Sequence, residues 1–469
     1  MKNRGKQNKI DSKLSRRSFI GTAGMAAAAF TIVPRNVLGG VGYTAPSDML
    51  NIAGIGIGGR GSSDLRAICD PDVMPALRPG QAARTPIKLA NIYALCDVDA
   101  KYAGPVFASY PKAKAYTDYR LMLEKEKSID AVVIATPDHT HAIISMAAIR
   151  AGKHVYCEKP LTHTIYEARE LAKAAREAKV ATQMGNQGMA VDANRELKEW
   201  LADGVIGEVR EVHAWSNRPI WPQGIERPKD TPPIPDTLNW DLWLGPAPYR
   251  PYHPAYVPFA WRGWYDFGSG PMGDEAIHNL APVFSSLKLK APSSVSGSSS
   301  PIFPETFPLA STLHYKFSGR DGMPPVTVHW YDGGLLPERP EELDKEKELP
   351  KDNGAIFVGS KGKILSSGEG TRAIVLLPES RNRDYKRPAA TLPRSIGHQK
   401  EWIEACKGNG KTESNFGFAG PLTEACLLGN LCIRSKGRVL EWDSENLRVT
   451  NNDAVNKLIH FEYREGWKL

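Results

Sequence analysis

Metal-binding cysteine motifs and a charge excess on the main body of the chain are both missing from this sequence of 469 residues. The six cysteines form no C-x-x-C pair and have no histidine at metal-ligand spacing, so no metal site is predicted. The net charge of +8 is concentrated in residues 1–40, where eight basic residues face a single acid, Asp11. A nucleic-acid surface needs basic residues gathered on the folded part of the chain, so nucleic acid is not a predicted partner.

Residues 1–40 have the features of an export signal. In "SRRSFIGTAGMAAAAFTIVP", the paired Arg16 and Arg17 precede Phe19 and an apolar run that ends at Pro34. That run is about 15 residues long, short of the roughly 20 that span a bilayer. We predict a twin-arginine signal that engages the twin-arginine export machinery and directs the folded protein to the periplasm. A frayed basic tail is the alternative, and a retained membrane anchor stays open because no A-x-A cleavage site is obvious.

The rest of the chain has an ordinary globular composition, with 41% hydrophobic and 24% charged residues and room for two or three domains. An extracytoplasmic location would permit a disulfide. Cys69, Cys96 and Cys157 nevertheless lie in or beside apolar element patterns, which favours buried thiols.

A glycine-rich turn follows the first predicted strand. "MLNIAGIGIGGRGSSDLRAI" gives an apolar run, then Gly56, Gly58 and Gly61 in G-x-G-x-x-G spacing, then the start of an amphipathic helix. Such glycines allow a tight turn and let backbone N–H groups approach a pyrophosphate. Gly54, Gly56 and Gly59 form a second register, but the first leaves a longer strand.

The second predicted strand, "LANIYALCDVD", ends at Asp97, where an acid accepts ribose hydroxyls. An acid at this place favours NAD over NADP, because it repels the additional phosphate. The polar, proline-bearing insertion at 70–88 makes its distance from the glycines longer than the usual ~20 residues. NAD is therefore the predicted cofactor.

Strands and helices alternate from residue 49 to residue 187, with helical patterns at 119–127, 140–151 and 165–178. This alternation predicts an α/β fold with a doubly wound parallel sheet, a Rossmann domain.

Beyond residue 187 the strands become longer and more alternating, as in "EVREVHAWSN" and "STLHYKFSG". Residues 188–469 are therefore predicted to form a second α/β domain with an open, largely antiparallel sheet. Stretches 290–301 and 337–353 are predicted to be polar loops. Residues 398–434 are predicted to be helical and to pack back on the first domain.

At this point the sequence resembles the glucose-fructose oxidoreductase/inositol dehydrogenase/MocA family, in its exported bacterial branch. The resemblance covers nearly all of the chain after the leader and rests on "GIGGRG", "ATPDHTHA", "CEKPL", "GNQG", "WRGWYDFGSGPMGDEAIH" and "SNFGFAGPLTEACLLGN". It implies a Rossmann domain that binds a nicotinamide cofactor, and a C-terminal sheet whose free face often makes subunit contacts. A homo-oligomer formed through that sheet is the corresponding expectation.

The resemblance also implies catalytic residues. Lys159 of "CEKPL" inherits a place beside the nicotinamide and the reacting oxygen, Glu158 inherits cofactor contact, and Pro160 follows a cis peptide bond. Asp274 and His278 match the family's D-x-x-x-H, in which the histidine is the acid/base. Their spacing puts both on one face of an α-helix, and the histidine is expected to be oriented by the aspartate.

Further site residues are carried over by the same motifs. Thr136, His139 and His141 are expected beside the cofactor, as is Asn186, and Gln187 is expected at the substrate. Among the many aromatic residues of the second domain, Trp261 and the neighbouring Arg262 are the ones predicted to contact a sugar. The pair Glu275–Ala276 departs from the small or apolar residues commoner in the family, and Ala281 stands where an acid often follows.

The leading functional prediction is an NAD-dependent oxidoreductase that acts on a sugar, polyol or glycoside. An NAD-dependent glycosidase, which oxidises its substrate transiently and eliminates the leaving group, is the second possibility. A non-catalytic sugar or nucleotide binder is the third, and the presence of Lys159, Asp274 and His278 argues against it.

Overall fold

The computed structural model describes residues 49–69 and 89–469. The predicted export signal at 1–40 and the insertion at 70–88 lie outside the described residues. Residues 50–69 and 89–469 form one compact unit that contains two sheets.

Six parallel strands form the first sheet, in the order β3-β2-β1-β4-β5-β6. The strands are β1 Leu50–Ile55, β2 Ala90–Cys96, β3 Lys114–Tyr116, β4 Ala131–Ile134, β5 His154–Cys157 and β6 Thr182–Met184. The helices that lie between them in sequence are α1 Arg60–Cys69, α2 Gly104–Ser109, α3 Tyr119–Lys125, α4 Asp138–Arg150 and α5 Ile165–Ala178. The central strand β4 is apolar and buried throughout, as expected of a sheet covered on both faces. The predicted doubly wound sheet is confirmed.

Nine strands form the second sheet, in the order β13-β12-β11-β7-β10-β9-β8-β14-β15. They are β7 Val209–Ser216, β8 Ser294–Ser299, β9 Ser311–Phe317, β10 Val326–Tyr331, β11 Asn353–Gly359, β12 Gly362–Ser367, β13 Ala373–Leu377, β14 Leu440–Asp443 and β15 Arg448–Val449. Strands β7 and β10 run parallel, and the other neighbouring pairs run antiparallel. The predicted largely antiparallel sheet is confirmed.

Strand β8 corrects one prediction, because residues 290–301 were expected to be a loop. Its sequence, SVSGSS, has little apolar alternation. It forms a strand because β9 pairs with one edge and β14 with the other. Tertiary pairing thus outweighs a weak local preference.

In the part of the chain that the structure describes, the helices that accompany the second sheet are seven: α6 Asp192–Ala202, α7 Trp240–Leu244, α8 Ile277–Ser286, α9 Glu379–Asp384, α10 His398–Cys406, α11 Phe416–Arg434 and α12 Asp453–Asn456. Within 398–434, α10 packs on α1 and α11 packs on α5, two helices that accompany the first sheet. By length and composition α11 is apolar enough to cross a membrane, but most of it is buried inside the fold. These contacts make it a core helix that joins the two sheets. The predicted domain boundary at residue 187 falls between β6 and α6 and stays a prediction.

Candidate active site

A cavity of about 430 Å³ opens at the carboxyl ends of β1, β2, β4 and β5. This is the switch point of the first sheet, where open α/β sheets bind ligands. The predicted site residues that line it are Gly56, Gly58, Asp97, Thr136, Glu158, Lys159, Gln187, Trp261, Arg262 and His278. The predicted residues that do not line it are Gly61, His139, His141, Asn186 and Asp274.

The glycine turn adopts the first of the two registers. Strand β1 ends at Ile55, Gly56 has φ +75°, and α1 begins at Arg60. A Cβ atom on Gly56 would lie 2.7 Å from the backbone nitrogen of Thr136, and one on Gly61 would lie 2.4 Å from the carbonyl oxygen of Gly56. Gly61 therefore permits the close approach of helix to strand, while the turn itself lines the cavity.

Asp97 lies beside this turn. One carboxylate oxygen accepts hydrogen bonds from the backbone N–H groups of Ile57 (2.8 Å) and Gly58 (3.1 Å), and the other accepts from Asp99 (3.0 Å). Burial raises the pKa of Asp97, although these hydrogen bonds oppose the shift. The carboxylate thus fastens the turn to the end of β2 at the cavity wall.

Glu158 is the centre of a buried polar group. It accepts hydrogen bonds from Arg60 Nε (3.2 Å) and Gln187 Nε2 (2.8 Å), and Gln187 also donates to the hydroxyl of Tyr156 (2.8 Å). Burial and the neighbouring Glu158 raise the pKa of Asp64 well above its usual value. Burial acts in the same direction on Glu158, but the charges of Arg60 and Lys159 outweigh it and lower its pKa. One carboxylate therefore stays charged at the cavity.

Lys159 is held in place by an ion pair, and its peptide bond to Pro160 is cis, as predicted. The Lys159 ammonium donates to Asp274 Oδ1 and to the backbone oxygen of Asp274, both at 2.8 Å. Arg262 Nε donates to the same Oδ1 at 3.0 Å. Burial opposes ionisation of Asp274, but the charges of Lys159 and Arg262 outweigh it and hold the pKa well below its usual value. Asp274 thus fixes two cations that line the cavity.

The expected link between Asp274 and His278 is wrong. Within the described residues no hydrogen bond joins the two side chains, and Asp274 is bonded to Lys159 and Arg262 instead. Residues Met272–Ala276 form a π turn before α8 begins at Ile277. Lys159 and Arg262 engage the Asp274 carboxylate, so it is not available to orient the His278 ring.

His278 is buried, and its ring lies near the carboxylate of Glu369. Nδ1 lies 3.8 Å from Glu369 Oε1, beyond hydrogen-bonding distance, and has no partner in the part of the chain that the structure describes. Burial lowers the pKa of His278 to about 4, although Glu369 opposes the shift. The imidazole is therefore neutral at pH 7 and able to accept a proton.

Glu275 and Glu369 line the cavity but were missed as site residues. Burial and the charge of Asp274 raise the pKa of Glu275 to about 7, and its carboxylate lies 3.4 Å from Arg218 Nε. In the sequence, the departure of Glu275 from the residues commoner in the family was the signal that could have identified it as a site residue. Glu369 lies between β12 and β13, where no sequence pattern indicated a role.

His139 and His141 require a correction, because neither ring faces the cavity. The His139 nitrogens lie 3.2 and 2.9 Å from the carbonyl oxygens of Phe267 and Trp243. Those of His141 lie 2.8 Å from the carbonyl oxygens of Pro160 and Thr136. Both rings point into the protein from the first turn of α4, where they connect backbone segments.

Asn186 also fails to reach the cavity. Its amide is buried, and neither polar atom has a partner among the described residues. Trp261 does line the cavity, and the Arg262 guanidinium lies 4.2 Å from the centre of its ring. Other aromatics of the second domain, including Trp215 and Trp264, are core residues, as expected.

The fold and the cavity define a dinucleotide-binding protein of the Rossmann class. One family model, described as "Oxidoreductase family, NAD-binding Rossmann fold", matches residues 50–186. A second, "Oxidoreductase family, C-terminal alpha/beta domain", matches residues 198–300. The chain belongs to the Gfo/Idh/MocA oxidoreductase family.

Two curated relatives share parts of the sequence. The 1,5-anhydro-D-fructose reductase of Ensifer adhaerens is 43% identical over 92 residues, which are 19% of this chain and 28% of the relative. A glycosyl hydrolase family 109 protein of Shewanella pealeana is 28% identical over 221 residues, 42% of this chain and 44% of the relative. The chain thus spans less than half the length of either relative.

Among solved structures, the WlbA dehydrogenase from Bordetella pertussis in complex with NADH and UDP-GlcNAcA has a TM-score of 0.57. It is 16% identical, and the match covers 84% of this chain and 99% of that one. This likeness shows a shared fold. The glycine turn, the acid at the end of β2 and the cavity fit a nicotinamide dinucleotide, which Gly56, Gly58, Asp97 and Thr136 would hold.

Proposed function

We propose that this protein is an NAD-dependent oxidoreductase that acts on a CH–OH group of a sugar, polyol or glycoside. The observation that carries the proposal is the combination of Lys159, fixed by Asp274, and a neutral His278 in the cavity that the glycine turn lines. The name of the Ensifer relative, a reductase of an anhydro sugar, supports this substrate class.

The chain's residues divide the reaction between them. A bound nicotinamide supplies the hydride acceptor when a hydroxyl is oxidised to a carbonyl. Glu369 lies near Nδ1 of His278 and favours the tautomer that carries hydrogen there, which leaves Nε2 to take the hydroxyl proton. The Lys159 ammonium stabilises the negative charge that develops on the substrate oxygen. Asp274 keeps that ammonium in place, and Trp261 with Arg262 offers an aromatic face and donors to a sugar.

NAD is the proposed cofactor rather than NADP. Asp97 is at the end of β2 on the cavity wall, and its carboxylate would repel a 2′-phosphate. We further propose a periplasmic location, based on the paired Arg16 and Arg17, and a homo-oligomer formed through the second sheet.

An NAD-dependent glycosidase is the second candidate, favoured by the similarity to the family 109 protein of Shewanella pealeana. Transient oxidation would acidify the C–H next to the new carbonyl, and loss of that proton would eliminate the leaving group. Water would then add to the resulting enone, and the hydride would return to the carbonyl. The same Lys159 and His278 would serve both reactions, and the two are distinguished by their products.

One experiment tests the function and the cofactor together. The protein is purified without added NAD, and the dinucleotide it releases is identified by mass spectrometry. A second sample of the purified protein, with its cofactor still bound, is then mixed with free sugars, polyols and nitrophenyl glycosides. We expect NAD(H), and one stoichiometric burst of NADH absorbance that only an added carbonyl acceptor extends. Nitrophenol release over many turnovers would establish the glycosidase instead, and bound NADP(H) would contradict the role given to Asp97.

Variants connect the result to the site. In Lys159→Met and His278→Gln, the rate of the NADH burst should fall by a factor of about 10² or more. Both variants should still release the dinucleotide. Lys153→Met and His460→Gln change the same residue types outside the cavity and should behave as wild type. Full activity in either site variant would remove that residue from the mechanism.

A further inference from the structure

Three histidines lie side by side on one face of the second sheet, away from the active-site cavity. His329 on β10 pairs directly with His213 on the parallel strand β7 and with His314 on the antiparallel strand β9. Glu211 precedes His213 by two residues and therefore projects from the same face. Four metal-ligating side chains are thus gathered from three neighbouring strands.

Two of these rings converge on one oxygen atom. Glu211 Oε1 lies 3.1 Å from Nε2 of His213 and 3.0 Å from Nε2 of His329. The two imidazoles are stacked, with ring centres 4.7 Å apart and planes 18° apart. A tetrahedral zinc ion with bonds of 2.0–2.1 Å holds its ligand atoms roughly 3.3 Å apart. The two distances from Glu211 Oε1 are close to that value, and all three ligand atoms lie within 4.8 Å of one another, so side-chain movements would admit an ion.

The outer nitrogens of both rings already have partners. Nδ1 of His213 lies 3.0 Å from the hydroxyl oxygen of Tyr331, and Nδ1 of His329 lies 2.6 Å from Nδ1 of His314. A histidine that binds metal through Nε2 carries hydrogen on Nδ1 and donates it to a neighbouring group, which fixes the ring. Tyr331 and His314 are both able to accept. This support orients the two rings toward Glu211.

The surroundings leave room for an ion. The side chains of Glu211, His213 and His329 are 44%, 20% and 17% exposed, so the point where they converge is open to solvent. Lys363 is the cation that acts electrostatically on His213, and its ammonium is paired with Glu342 at 2.8 Å. The local positive charge is thus partly neutralised.

We infer that Glu211, His213 and His329 form a binding site for a borderline divalent transition metal such as Zn²⁺, with water in the fourth position. Two imidazoles and one carboxylate suit zinc, whereas Mg²⁺ and Ca²⁺ prefer oxygen ligands. The ion would link β7 to β10. Local spacing in the sequence did not reveal the site, because its ligands come from strands distant in the chain.

The test is zinc titration of the full-length protein after treatment with EDTA. Calorimetry with zinc chloride, and metal analysis after desalting, should show one equivalent bound by the wild type and lost in His213→Ala and in His329→Ala. His314→Ala, which removes a supporting group, should weaken binding by about 10- to 100-fold. His460→Ala removes an exposed histidine elsewhere and should keep the full equivalent.

A second measurement guards against variants that fail to fold. Zinc should raise the melting temperature of the wild type and of His460→Ala, but not of His213→Gln or His329→Gln, which remove the ligand nitrogens and keep a polar side chain. Cobalt substituted at the site should give the intense visible absorption of a tetrahedral ion. Zinc binding of equal stoichiometry in the His213 and His329 variants, or no equivalent in the wild type, would overturn the proposal.

Discussion

Asp274 and Glu275 are adjacent carboxyl groups that the protein holds in different charge states. Asp274 is bonded to Lys159 and Arg262 and stays ionised. Glu275 has Arg218 at 3.4 Å, and one of its oxygens has no partner in the described part of the chain. Because burial beside Asp274 raises its pKa to about 7, Glu275 loses its proton in the neutral range.

We expect Glu275→Gln to remove a pH-dependent loss of stability. The pKa of Glu275 rises from 4.5 in the unfolded chain to about 7 in the fold, so the folded state holds its proton more tightly. Its contribution to the free energy of unfolding is present below pH 4.5 and is lost as the pH rises through about 7. Between roughly pH 5 and pH 8 the free energy of unfolding of the wild type should fall by on the order of 2 kcal/mol relative to that of the variant. Urea unfolding at both pH values measures this difference.

Glu177→Gln, on the exposed side of α5, is the matched control and should follow the wild type. Identical pH dependence in the wild type and in Glu275→Gln would mean that Glu275 is already ionised at the lower pH.

For single residues, the sequence predicted the position along the fold better than the direction of the side chain. Lys159 and His278 line the cavity, since motifs at strand ends and at the start of a helix determine where the backbone places them. His139 and His141 turn inward, because position on a helix does not show which backbone carbonyls will meet the ring. Glu369 reaches His278 from a distant hairpin, a contact that no local pattern encodes.

Among the elements, α11 depends on one buried charge. Glu424 of α11 is almost fully buried and accepts hydrogen bonds from Arg169 of α5, including one from Nη2 at 2.9 Å. It also accepts from Trp442 Nε1 at 2.8 Å. The ion pair joins a helix of the first sheet to the helix that connects both sheets.

Arg169→Ala should therefore destabilise the protein by about 2–3 kcal/mol, because it leaves Glu424 charged and buried without its partner. The estimate is below that for a fully buried pair because the Arg169 side chain is 35% exposed. Arg169→Ala combined with Glu424→Gln should regain part of the loss, and Lys173→Ala, on the exposed side of α5, should be near neutral. Chemical denaturation of the four proteins gives the comparison. A double variant no more stable than Arg169→Ala would show that burial of the charge is not the cause.

Helices and strands were predicted where apolar residues recur at a regular spacing in the sequence. They were missed where contacts with other parts of the chain determine the structure. The strands of the first sheet and the return of 398–434 follow from their apolar patterns. Strand β8 and the π turn at Met272–Ala276 do not, because each depends on neighbours contributed by other parts of the chain.

For the molecule as a whole, we expect export to depend on Arg16 and Arg17. No disulfide joins the six cysteines, all of which lie in the described residues, and this fits a protein that folds before export. Replacing Arg16 and Arg17 together with Lys should retain the protein in the cytoplasm, whereas replacing Lys2 and Lys6 with Arg should not. Immunoblots of periplasmic and cytoplasmic fractions measure the distribution. Unchanged export of the Arg16/Arg17 variant would contradict a twin-arginine route.

The free edge of β6 is covered by residues that lie about 230 positions later in the chain. Thr412 donates its hydroxyl proton to the carbonyl oxygen of Thr182, 230 positions earlier, and Met184 N–H donates to the carbonyl oxygen of Ser414 at 2.8 Å. A ribosome adding about 5–20 residues per second needs on the order of 10–50 seconds to make the intervening chain. During that time the nascent sheet has an open edge that a chaperone or another chain could occupy. The contacts that cover β6 therefore cannot form until about 230 further residues have been made, although all six strands of the sheet are already present in the nascent chain.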